Sequence, residues 1–127
     1  MKKEIIFSLI ILIFIIILDI ILTKEIDNKI DAISNDSEIL EEKIKDENTE
    51  EIIDQYDALE KEWKKTEEAF SFYLEHDELE KVGTEMTNIK SGIDTLEWNE
   101  TISNIERMKF ILEHLKDKMD LKLKNIF

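Results

Sequence analysis

Hydrophobic residues in this chain form one long run followed by four periodic stretches. The run covers 5–22, IIFSLIILIFIIILDIIL, and only Ser8 and Asp19 interrupt it with polar groups. At ~1.5 Å per residue it makes ~27 Å of helix, close to the hydrocarbon thickness of a bilayer, so it predicts a transmembrane helix. Beyond Lys24 the positions Ile26, Ile30, Ile33, Ser37, Leu40 and Ile44 recur at alternating steps of four and three. This is a heptad seam with one polar seat, and the simplest reading continues the membrane helix outward to about Lys45 as a coiled-coil-like stalk. Ser34-Asn35-Asp36-Ser37 is its weak point, because these side chains compete for backbone hydrogen bonds and could kink or restart the helix.

Asp46-Glu47-Asn48-Thr49-Glu50-Glu51 reads as a turn and a helix start, with Asn48 as N-cap and Glu51 reaching back to it. The second helix then runs to about Leu74 on a seam of Ile52, Tyr56, Leu59, Trp63, Thr66, Phe70 and Tyr73. Glu75-His76-Asp77 is the next turn, with Asp77 and Glu80 as a capping pair. A third helix over 78–93 carries Leu79, Val82, Met86, Ile89 and Ile93, and Gly92 weakens its end. A fourth, over 98–116, shows Trp98, Ile102, Ile105, Met108, Leu112 and Leu115 on one broad face. After Asp117 the pattern turns to alternation, Met119, Leu121 and Leu123 against Asp120, Lys122 and Lys124, which suits a short extended tail; a frayed helix is the alternative.

The basic start, Lys2 and Lys3, followed by an apolar stretch also fits a cleaved secretory signal. The run is longer than a signal's apolar region, and Asp19-Ile20-Ile21-Leu22-Thr23-Lys24 offers no pair of small residues to a peptidase. An uncleaved signal anchor is the better reading. Lysines before the span against Lys24, Glu25 and Asp27 after it orient the N-terminus inward, with the rest of the chain outside the cell membrane.

Charge sharpens this picture. The net charge is −14, and it falls on the outer part because Lys2 and Lys3 offset Glu4 and Asp19. Such an acidic surface disfavours nucleic acid and peripheral docking on anionic headgroups. With no cysteine there is no disulfide framework, no thiolate nucleophile and no lipoprotein anchor. With no proline and only Gly83 and Gly92, long helices are the expectation throughout.

Chemistry is sparse. The only histidines, His76 and His114, fall at one pole of an antiparallel bundle, where Asp77 and Glu113 join them as candidate metal ligands or as a pH-sensitive cluster. A turn residue and a cation near a helix C-terminus are the plainer roles for the two. Asp19, near the outer end of the span, either snorkels to the interface or contacts another membrane protein. The aromatic face around Trp63, together with Trp98, reads first as core and second as a partner-facing patch. No cofactor is indicated, since no glycine-rich phosphate loop is present and no Ser or Thr has a base placed by a motif.

Trp63, the turn His76-Asp77-Glu78-Leu79, the stretch Lys109-Phe110-Ile111-Leu112-Glu113-His114-Leu115 and the closing Asn125-Ile126-Phe127 carry a resemblance over nearly the whole chain. In their order and spacing the chain resembles a family of short, single-span helical proteins from Gram-positive, spore-forming bacteria, catalogued as domain of unknown function 4363. It departs in having Glu97 before Trp98, where relatives often place Asp, and in having no Trp at the opening of the second helix. The resemblance implies architecture and membrane location and supplies no activity.

The expected fold is therefore all-α. A cytoplasmic N-terminus (1–4) leads into a transmembrane signal anchor (5–22) and a stalk helix (23–46); an antiparallel up-down bundle of three to four helices (47–127) follows and ends in an extended tail. The expected function is that of a non-enzymatic, membrane-anchored accessory or interaction protein, acting with a polytopic membrane partner or an envelope assembly. A cation- or pH-responsive sensor using the histidine and carboxylate pole is the alternative. The seam 26–44 could also pair two chains as a homodimer.

Overall fold

The computed structural model describes residues 1–126, with side chains as far as Leu121. Within them the chain forms four helices, α1 (Lys2–Lys45), α2 (Thr49–Phe70), α3 (His76–Asp94) and α4 (Trp98–Ile126), and no strand. Phe127, which ends the closing Asn125-Ile126-Phe127, lies outside the described residues.

The first helix runs unbroken through Ser34-Asn35-Asp36-Ser37. The buried Ser37 hydroxyl donates to the Ile33 carbonyl one turn back at 2.8 Å, so its polar group is satisfied without opening the helix. The Asp36 carbonyl accepts from the side chain of Gln55 at 3.1 Å, which ties the same stretch to α2. Glu47, at φ 58°, turns the chain sharply, and the Asn48 side chain caps α2 by accepting from the Glu51 N–H at 3.3 Å. The expected return contact from Glu51 is replaced by an ion pair with Lys43 at 3.8 Å.

Two boundaries and one tail differ from the sequence reading. The second helix stops at Phe70, whose carbonyl accepts from both Tyr73 N–H and Leu74 N–H at 3.0 Å, closing a tight turn. The third begins at His76 after Glu75 in extended conformation, so Asp77 and Glu78 become first-turn acids facing the helix dipole rather than a cap and its neighbour. The fourth continues to Ile126 in place of an extended tail. Leu112, Leu115 and Met119 extend one helical stripe by steps of three and four, and all three are buried, whereas Leu121 is exposed. The alternation that suggested an extended segment was thus a coincidence of one core residue beside one surface residue; the side chain of Leu123 lies outside the described ones.

The helices close a ring, with α1 against α2, α2 against α3, α3 against α4 and α4 back against α1. Successive ion pairs show the antiparallel sense: Lys43 with Glu51 at 3.8 Å and Lys29 with Glu62 at 3.5 Å for α1 and α2, and Glu41 with Lys109 at 3.6 Å and Asp31 with Lys116 at 2.9 Å for α1 and α4. The segment read as a stalk is thus a full wall of the bundle. Ile26, Ile30, Ile33, Leu40 and Ile44 are buried among Ile52, Leu59, Ile89, Ile105, Met108 and Leu112, so the seam is taken up within one chain. Below it the apolar run stands clear of the bundle, its large side chains open to the surroundings from Ile5 to Leu18 except Ile16.

Gly92 does more than weaken a helix end. It lies where α3 meets the start of α4, and a Cβ there would run into the Thr101 hydroxyl and stand 3.2 Å from its Cβ. The Gly92 carbonyl accepts from the Glu97 N–H at 2.9 Å across the same corner. Glycine is what lets the two helices approach this closely.

Candidate functional site

The register between α1 and α2 determines what meets the apolar run. Lys43 lies opposite Glu51, Asp36 opposite Gln55, and Lys29 opposite Glu62. Continued past Phe70, that register carries the α2–α3 turn down beside the last turns of the run. Tyr73 is found there, sharing an open, mostly apolar hollow of about 410 Å³ with Ile15, Ile16, Leu18, Asp19 and Leu22. Asp19 is therefore half-buried at the junction of apolar run and bundle rather than isolated on a bare helix.

Above this hollow the pole is rich in paired charge. Glu78 is buried and accepts from Lys118 at 3.0 Å, with Lys81 at 3.6 Å. Lys118 also reaches Glu75 at 3.4 Å, stitching α4 to the start of α3. The Lys118 hydrogen bond holds the Glu78 carboxyl below its usual range, and Lys81 and His114 add smaller pulls in the same direction. On the α1–α4 seam, burial pushes the Asp27 carboxyl up to about 6, reinforced by the neighbouring Asp120 carboxyl and opposed by Lys116. One oxygen of Asp27, Oδ1, is buried with no donor among the described residues. Two carboxyls side by side satisfy each other only when one keeps its proton.

The same motif recurs higher on that seam. Burial raises Glu41, and Glu106 beside it raises it further, while Lys109 sits between them at 3.6 Å from Glu41 and 3.3 Å from Glu106. Across α3 and α4, Glu85 is 6% exposed and takes Arg107 at 3.4 Å through Oε1, while Oε2 is buried without a partner. This pair lies in an open groove of about 560 Å³ shared with Asp77, Glu80, Lys81, Thr84 and Ile111.

The residues singled out from sequence fare unequally. His76, Asp77, Glu113 and His114 are all exposed, and among the described residues no group of three or more His, Asp or Glu side chains is placed to hold a metal ion. His114 does reach the pole as one of the charges felt by Glu78. Trp63 is 3% exposed in the core with its indole N–H unpartnered, so it cannot meet another protein while the bundle is closed. Trp98 is half-buried against the core at the far pole, where α4 begins.

Asp27, Glu41, Glu85 and Asp120 were not legible as special. Each sits beside a seam position, Asp27 after Ile26, Glu41 after Leu40, Glu85 before Met86 and Asp120 after Met119, which is the one available signal. In a chain with 31 acidic residues that signal drowns.

One helix of the chain, near its N-terminus, is apolar enough to cross a membrane. No curated protein matches the chain, and no solved structure does. A family model matches 20–126, which takes in the bundle and the last turn of the apolar run, and the chain accordingly belongs to the family of that model, the domain of unknown function DUF4363.

Proposed function

We propose that this chain is a membrane-anchored, non-catalytic accessory protein whose helical domain stands outside the cell membrane and works by contact with a membrane-embedded partner or an envelope assembly. One observation carries the reading. A single helix of 44 residues is bare and apolar in its first half and a buried wall of the domain in its second, so domain and anchor are one rigid piece. The last turns of the run also meet the domain, since Ile15, Ile16, Leu18, Asp19 and Leu22 share a hollow with Tyr73, a contact that removal of the run would abolish. Lys2 and Lys3 before the run orient the N-terminus inward.

The test is crosslinking in native membranes followed by recovery of the tagged chain. A membrane-embedded protein should be recovered in stoichiometric yield, and the yield should fall on Asp19→Leu if the half-buried carboxylate contributes to the contact. Recovery of this chain alone, at several crosslinker lengths, would rule out the accessory reading.

A pH-responsive role is the second reading, and Asp27 with Asp120 favours it. Asp27, held beside Asp120, changes protonation at about pH 6, at the seam where α4 closes on the anchor helix. It shifts the candidate groups from the histidines to the carboxylates.

A further inference from the structure

The α2–α3 turn presents two aromatic side chains that the core does not use. Phe72 is 95% exposed and Tyr73 43% exposed, between the buried Phe70 and Leu74. The turn is not a loose tip, because Phe70 and Leu74 are packed into the core and the Phe70 carbonyl binds the N–H groups of both Tyr73 and Leu74. An exposed phenylalanine on a rigid corner has no account among the described residues, since none of their side chains shields that ring from solvent. What the turn stands beside supplies one. Tyr73 shares its hollow with Ile15, Ile16, Leu18, Asp19 and Leu22, so the corner is level with the final turns of the apolar run.

We infer that this turn is a second, shallow membrane contact: Phe72 enters the boundary between acyl chains and glycerol in the leaflet from which α1 emerges, and Tyr73 lies at headgroup level beside Asp19. The inference rests on the anchoring proposed above. If the run crosses the bilayer, the medium around Asp19 and Leu22 is the interface, the zone that amphipathic aromatic rings favour. The occupant of the hollow between Tyr73 and the helix is then phospholipid. The contact needs only this corner, so the acidic faces of the domain stay off the anionic surface that repels them. Two contact points, one deep and one shallow, also set the direction in which the bundle leans.

The absence of cysteine makes the test clean. Single-cysteine chains Phe14→Cys, Phe72→Cys and Phe110→Cys carry an environment-sensitive fluorophore in vesicles of phosphatidylethanolamine and phosphatidylglycerol. Nitroxide lipids, labelled high on the acyl chain or near its end, act as quenchers. Phe14 reports the span, and Phe110, 74% exposed next to Lys109 and so level with Glu41, reports a site about 28 Å beyond Leu22. All three side chains are exposed, so labelling leaves the core intact. The label at 72 should be quenched by the high nitroxide, at least about twofold more than by the deep one, while the label at 110 is unaffected by either. If 72 behaves like 110 while 14 is quenched, the turn does not touch lipid and the anchoring stands. Stronger quenching of 72 by the deep nitroxide overturns the shallow seat, and no quenching at 14 overturns the anchoring itself.

Discussion

Gly92 and Thr101 are in van der Waals contact at the corner where α3 turns into α4, with the Thr101 hydroxyl donating to the Glu97 carbonyl at 2.7 Å in the space a side chain at 92 would need. The contact is one-sided, since Thr101 is fully buried and cannot swing away. Gly92→Ala should therefore cost about 1–3 kcal/mol, although alanine is the better helix former. Chemical denaturation in detergent, alone and combined with Thr101→Ala, checks the cause. The cost of Gly92→Ala should shrink once Thr101 is shortened, and an equal cost in both backgrounds would remove the contact from the explanation.

Tyr56 holds the least extensive of the four helix seams. Its hydroxyl donates to the Met86 carbonyl at 3.2 Å, joining α2 to α3, and burial followed by Glu60 keeps the phenol protonated well past its usual range. Tyr56→Phe should cost about 0.5–1.5 kcal/mol with no change in helix content. A loss of helical signal in the folded baseline would mean that the hydroxyl holds the seam together rather than tightening it.

Asp27 predicts an unusual slope of stability with pH. Folded, it keeps its proton up to about 6; unfolded, it releases it near 3.8. Between those values the folded state binds more protons, so the contribution of this group falls as pH rises through the window and is flat above it. Asp27→Asn removes the ionisation and supplies an amide donor toward Asp120. At about pH 7.5 the variant should be more stable by about 1 kcal/mol, a figure already reduced for solvent at a partly exposed site, and the gain should vanish toward about pH 4. A gain independent of pH would show that the carboxylate charge is not what costs stability.

Glu78 predicts the opposite slope at the same pole. Its carboxyl is held below the ordinary 4.5, chiefly by Lys118, so its contribution is fully present above that value and is lost as pH falls through the lowered one. Lys118→Met should cost about 1–2 kcal/mol at neutral pH, because it removes the nearest cation from a buried carboxylate and leaves Lys81, at 3.6 Å, as its ion-pair partner among the described residues. The acid limb of a stability profile should flatten in that variant. If it keeps its slope, another carboxylate drives the acid transition.

Most of the architecture was readable because the core is periodic. The steps of four and three from Ile26 to Ile44 named the buried face of α1, and Asn48 marked the start of α2 through the one bond its side chain makes. What could not be read was mutual depth. Nothing in Ser71-Phe72-Tyr73 says that this turn descends beside Asp19, because that depends on the register of two helices set by pairs such as Lys29 with Glu62. The carboxyl pairs were hidden for the same reason, since Asp27 and Asp120 meet only when α4 continues as helix past Lys116. The histidines drew notice because they are rare, and rarity is no measure of placement: both lie on the surface, outside any cluster of three or more candidate ligands among the described residues.

The ring closes through its first and fourth helices, which has a consequence for how the protein is made. Synthesis delivers α1 long before α4. Until α4 arrives, the isoleucines at 26, 30, 33 and 44 line an open trough, with α2 as its early wall. A chain halted before Trp98 is then not a smaller version of the domain but an unfinished one, its core face open along α1. The speed with which α4 follows sets how long that apolar face stays uncovered.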